Sequence, residues 1–126
     1  MESLSLSKLN VYIKRVITLN FQEPIWVSAE LLSLKEKSGH VYLELTEKDA
    51  QNNITAQNTA IIWKTSHTTI KNSSNFDLNH ILREGNEIRI LVVVDYNVRY
   101  GLKLIVQNID PEYTYGKIAQ ARMLAI

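Results

Sequence analysis

Cysteine is absent from the 126-residue sequence, which excludes disulfides, zinc–thiolate sites and thiol catalysis together. A surplus of charge of either sign is lacking too. Lys and Arg number 14 and Asp and Glu 13, for a formal charge of +1. Such a chain is no polycation, so any nucleic-acid footprint has to be a local patch. Long hydrophobic runs are missing: the longest, residues 90–94, is far too short to cross a bilayer. Residues 1–7 carry neither the charged start nor the apolar stretch of a leader peptide. Glycines number only 4, and none belongs to a phosphate-cradling loop. The histidines, at 40, 67 and 80, have neither the i,i+2 nor the i,i+4 spacing of a metal pair. No Ser-His-Asp constellation is suggested by spacing. Glu47 and Asp49 are the nearest carboxylates outside the helices, and beside Lys48 in an Asn-rich stretch they read as solvated rather than metal-binding. These absences predict a soluble, cytoplasmic domain with no membrane span, no cofactor, no metal and no catalytic site of its own.

What is present suffices for one core: 45% of the residues are hydrophobic, and the length leaves no room for a second core. Leu9, Tyr12, Ile13, Val16 and Ile17 recur at helical spacing, with Lys8, Lys14 and Arg15 elsewhere on the wheel. Ser5 or Ser7 can cap this first helix, and Asn20 and Pro24 bracket its exit. Tyr12, Phe21 and Trp26 are expected to pack between this helix and the β-strands downstream of it. From Ile25 the period becomes two. Ile25, Val27, Ala29 and Leu31 alternate with Trp26, Ser28 and Glu30, until Leu32 and Leu34 break the pattern as a bulge would. Lys37-Ser38-Gly39-His40 reads as a hairpin turn. Val41, Leu43 and Leu45 then point inward and His40, Tyr42, Glu44 and Thr46 outward. Residues 47–57 are polar and read as a loop, and residues 59–64 as a short third strand. Residues 65–75 read as a connection with at most one poor helix, followed by a helical turn at Leu78, Ile81 and Leu82. His67 and His80 are expected in solvent. A fourth strand over residues 87–96, a turn at 97–101 and a fifth strand over 102–109 precede Asp110-Pro111.

The strand count predicts a mainly β fold: a five-stranded OB-fold barrel with an N-terminal helix, a helical insertion between strands 3 and 4, and a short C-terminal helix. Barrel closure also removes the exposed edge that the apolar fourth strand would otherwise present. Residues 1–112 are expected to form the barrel domain. Residues 113–126 would begin a helix or linker towards a further domain, and the apolar Met123-Leu124-Ala125-Ile126 suggests a truncated end.

Several stretches resemble the N-terminal OB domain of the exodeoxyribonuclease VII large subunit. They are Leu6-Ser7-Lys8-Leu9-Asn10-Val11-Tyr12-Ile13-Lys14-Arg15, Trp26-Val27-Ser28-Ala29-Glu30, Ser38-Gly39-His40-Val41-Tyr42-Leu43-Glu44-Leu45 and Ile62-Trp63-Lys64. Glu84-Gly85, Tyr96, Arg99, Leu104-Ile105-Val106 and Asp110-Pro111 continue the family's order almost to the end of the chain. The helix motif and the Ser-Gly-His hairpin are the specific parts. The loop at 47–57 is longer than the family's, and the turn glycine, Gly101, falls one residue later. That family is a hydrolase degrading single-stranded DNA to oligonucleotides. Its N-terminal barrel holds the strand, a following domain cleaves it, and a C-terminal region recruits small subunits. The resemblance therefore implies a non-catalytic, DNA-holding module, with small-subunit contact through a region outside this chain.

Binding a single strand without reading its sequence needs cations along the phosphates and aromatic faces for the bases. In OB folds the second and third strands and their flanking loops provide that surface. The candidates are Lys35, Lys37, His40 and Tyr42 on the first hairpin, Trp63 and Lys64 after strand 3, and Tyr96, Arg99, Tyr100 and Lys103 around the last hairpin. Glu36 and Asp95 dilute the patch, and Trp63 serves equally as a core lid. An OB fold is expected to bring the two loops together. The alternative reading is a barrel used for protein contact or subunit assembly, which the low net charge favours. The aromatic–basic interleaving from Tyr96 to Tyr100 favours DNA.

Overall fold

The structure, a computed structural model, describes residues 2–73 and 75–124. Helix α1 (Leu6–Asn20) leads into strands β1 (Ile25–Lys37), β2 (His40–Lys48) and β3 (Ile54–Ile62). Helices α2 (Lys64–Ser73) and α3 (Leu78–Ile81) follow, then β4 (Glu87–Asn97), β5 (Gly101–Ile109) and α4 (Pro111–Leu124). The five strands close into a barrel in the order β1-β2-β3-β5-β4. Neighbours are antiparallel except β3 and β5, which run parallel and pair only at Ala60↔Leu104 and Ile61↔Ile105.

The inward rows of the strands make the core. Leu31, Val41, Leu43, Leu45, Ala60, Ile62, Ile88, Ile90, Val92, Val106 and Ile109 are buried together, and Ile70, Leu78, Ile81 and Leu82 close one end from α2 and α3. Burial of each such Val, Leu or Ile side chain is worth about 1.5–3 kcal/mol relative to exposure. The predicted irregularity in β1 is a register shift between Leu31 and Ser33. It lets Leu31 and Leu34 both face inward, opposite Leu45 and Leu43. At the first hairpin both Ser38 and Gly39 have positive φ, 55° and 84°, the geometry of the two-residue turn that matches strand twist.

Three elements depart from expectation. β3 begins at Ile54, so the connection from β2 shrinks to residues 49–53, where the Asp49 carboxylate accepts bonds from the N–H groups of Gln51 and Asn53. Residues 54–58 are exposed; with no core beneath them they carry no period-two signal. α2 spans ten residues where only a poor helix was expected. α4 starts at Pro111 and is fastened to the barrel by the buried Thr114, whose hydroxyl donates to the Glu87 carbonyl at 2.8 Å.

The packing of α1 also differs. Ser5 caps it, accepting from the Lys8 N–H at 3.2 Å. Yet none of its residues is fully buried. It rests on the barrel through the half-buried Asn10, Ile13 and Ile17, while Tyr12, Phe21 and Trp26 stay exposed. His67 and His80 are half-buried rather than solvated, His80 stacking on Tyr115 with centroids 5.8 Å apart. Met123 and Leu124 are exposed, and Ala125 and Ile126 lie outside the described residues.

Candidate nucleic-acid interface

Residues directly opposite each other in an antiparallel pair share a face. Lys35 stands opposite Tyr42, and Lys37 opposite His40, so two cations and two rings lie on the outer face of the first hairpin. The Tyr42 row continues through Ile61 of β3 to Ile105 of β5. Ile61 is fully buried yet outside the central core, so the middle of this outer face is apolar and shielded from solvent. Neighbouring Ile61 and Ile62 are both buried, as in a strand covered on both faces. Glu44, next outward after Tyr42, accepts a bond from the Thr59 hydroxyl at 2.9 Å. This carboxylate bounds the cationic part of the face.

One corner joins hairpin, strand end and helix start. Trp63 occupies the cap position of α2, its carbonyl accepting from the His67 N–H at 2.8 Å, but an indole cannot cap the free N–H groups. His40 does so instead: its Nδ1 accepts from the Lys64 N–H at 2.9 Å. The bond requires a neutral imidazole with its proton on Nε2. The His40 ring also meets Trp63 edge-on, at 5.1 Å and 90°, leaving the indole 41% exposed. The Lys64 stem crosses Gly39 so closely that a Cβ there would lie 2.8 Å from Lys64 Cδ. His40, Trp63 and Lys64 therefore form one contiguous surface with the tip that carries Lys37.

A second group sits at the β4–β5 hairpin. The Asn97 carboxamide oxygen accepts from the N–H groups of Arg99 and Tyr100, at 2.8 and 2.9 Å, and so shapes the turn. Tyr100 is 66% exposed, and both the Arg99 guanidinium and the Lys103 ammonium stand 5.4 Å from its ring centre. A ring flanked by two cations offers a base a stacking face and its phosphates a charge partner. Asp95 lies opposite Lys103 and offsets part of that charge.

Tyr96 is placed apart from this group. It is half-buried, and its hydroxyl donates to the Asn10 carboxamide of α1 at 3.0 Å. Because β3 and β5 are parallel, the first group lies where β3 ends and the second where β5 begins. The two groups flank the outer face from opposite ends, with the Tyr42–Ile61–Ile105 row between them, and do not meet directly.

Sequence reasoning missed the apolar centre made by Ile61 and Ile105 and the role of Asn97. The doubly buried Ile61-Ile62 pair and an Asn two residues before an Arg-Tyr turn were the available signals. It also missed Arg89, whose guanidinium lies 5.4 Å from the ring centre of the exposed Trp26, on the β1–β4 wall. Among the described residues, no group of three or more His, Asp or Glu is placed to hold a metal ion.

A barrel with this strand order and a mixed aromatic–basic face defines a nucleic-acid-binding OB module. The sequence matches the family described as the OB-fold nucleic acid binding domain over residues 4–110, and the chain belongs to that family. No curated relative matches it. Among solved structures it is similar to the crystal structure of the mitochondrial single-stranded DNA binding protein Rim1 from S. cerevisiae, with 9% identity and a TM-score of 0.47, covering 70% of this chain and 91% of that one. The selenomethionine-labelled crystal of the same protein gives 9% identity and a TM-score of 0.44.

Proposed function

We propose that this domain holds single-stranded DNA on the two basic–aromatic hairpin surfaces that flank its β2–β3–β5 face, without cleaving it, as the substrate-binding part of a nuclease of the exodeoxyribonuclease VII type. The observation that carries the reading is the pairing of Lys35 with Tyr42 and Lys37 with His40 on one face. Phosphates would follow Lys35, Lys37 and Lys64 at one end and Arg99 and Lys103 at the other. Bases would stack on Tyr42, Tyr100 and the open face of Trp63. The sequence resemblance supports the nuclease setting and a small subunit bound through a region outside this chain; a cytoplasmic location is proposed with them.

The test is a salt titration of oligothymidine binding by fluorescence anisotropy. Each of Lys35→Ala, Lys37→Ala, Arg99→Ala and Lys103→Ala should flatten the log–log salt slope by roughly 0.7, the single-strand value per neutralised phosphate. Removing a stacking ring should cost about 1–3 kcal/mol per base it holds. Unchanged affinity and slope after removal of all four charges would sink the DNA reading. Protein contact is the second reading, favoured by the apolar side chains that α1 leaves exposed. The two readings use different surfaces.

A further inference from the structure

Helix α1 carries an apolar stripe that the barrel does not use. Leu9, Tyr12, Val16 and Leu19 are 43%, 61%, 44% and 63% exposed. Their spacing of three, four and three is that of the a and d positions of a heptad repeat, so they form one continuous seam. The barrel-facing residues Asn10, Ile13 and Ile17 lie on the neighbouring side of the wheel, and the seam therefore opens to solvent. Lys8 and Arg15 directly precede Leu9 and Val16. They form a cationic border one heptad long, and no acidic residue occurs between Glu2 and Glu23.

We propose that this seam docks an amphipathic helix of another protein, one whose apolar a and d residues are flanked by Glu or Asp. Charge decides the occupant. An antiparallel second copy would set Lys8 against Arg15 of its mate across the border, and like charges there oppose pairing. A parallel copy would need the opposite flank, Ile13 and Asn20, and Ile13 already rests against the barrel. An acidic-flanked helix meets both the apolar stripe and the cations, which is the helix-on-helix form of partner recognition. The surface is distinct from the proposed DNA face, and the inference stands whether or not that face binds DNA.

Two synthetic helical peptides with the same leucine seam, one flanked by Glu and one by Lys, test this with the whole chain. Anisotropy should show the Glu-flanked peptide binding at least about tenfold more tightly, a difference equivalent to about 1.4 kcal/mol. Leu9→Gln with Val16→Gln should abolish its binding, leaving the helical circular dichroism in place because Gln is a good helix former. Lys8→Glu with Arg15→Glu should invert the preference between the peptides. Equal binding of both peptides, binding of neither, or retention by the Leu9→Gln/Val16→Gln variant would overturn the proposal. So would concentration-dependent self-association lost in that variant, which would make a second copy the occupant. Loss of oligothymidine binding in the same variant would assign the seam to nucleic acid and overturn it equally.

Discussion

Replacing His40 by Ala tests whether a strand residue really completes helix α2. Two contacts disappear. The Lys64 N–H loses its acceptor, a service that at helix N-caps is worth about 0.5–2 kcal/mol. The edge contact with Trp63 also goes, and such aromatic pairs contribute about 0.5–1.5 kcal/mol. Together the loss is about 1–3.5 kcal/mol. With about 2.1 cal/mol/K of unfolding entropy per residue, 126 residues give about 0.26 kcal/mol/K, so Tm should fall by about 4–13 °C. Thermal circular dichroism measures the fall, and two further variants divide it. His40→Phe keeps a ring against Trp63 but no acceptor, and should recover only part of the loss. His40→Asn keeps an acceptor but no ring, and should recover a different part. A His40→Ala protein that melts with the parent, or a His40→Phe protein as stable as the parent, would refute the capping argument.

Gly39→Ala should destabilise the domain by about 1–3 kcal/mol, because residue 39 holds a φ of +84° that L side chains rarely adopt; adding Lys64→Ala should relieve only the steric share, read by urea melts of the single and double variants. Asn86→Ala should lower stability by about 1–3 kcal/mol, since its side-chain N–H group donates to both the His80 and Ile81 carbonyls at the end of α3, and a melt unchanged from the parent would show those bonds to be dispensable.

The barrel was legible in the sequence because its inward rows are regular. Val41, Leu43 and Leu45, and Ile88, Ile90 and Val92, are buried in alternation, and alternation over a core is what a sequence can display. The parts that escaped have no local signature. The first half of β3 is a strand only because β2 lies beside it; its exposed Ile54, Thr55, Ala56, Gln57 and Asn58 meet no core. α2 opens on Trp63, a residue that cannot cap, because its cap arrives from β2. The seating of α1 could not be read either: Leu9, Tyr12, Ile13, Val16 and Ile17 share one broad apolar face, and only the placement against β4 selects Ile13 and Ile17 from it. The candidate site shows the same division. The residue types at each hairpin were visible, but Tyr96 points to α1 rather than to its neighbours Arg99 and Tyr100 because strand alternation places it on the other side from Asp95 and Lys103.

The parallel join between β3 and β5 shapes how this barrel comes together. β1–β2, β2–β3 and β4–β5 are joined by short connections, whereas β3 meets β5, and β1 meets β4, only after long excursions of the chain. Loops of that length close late, because their entropy must be overcome before distant contacts form. The β3–β5 closure is also the smaller of the two, with two register pairs against six between β1 and β4. In backbone pairing it is thus the weaker of the two seams that close the barrel. The Tyr42–Ile61–Ile105 row crosses that line, and because Ile61 is fully buried it is packing within the protein, not backbone pairing alone, that seals the barrel there.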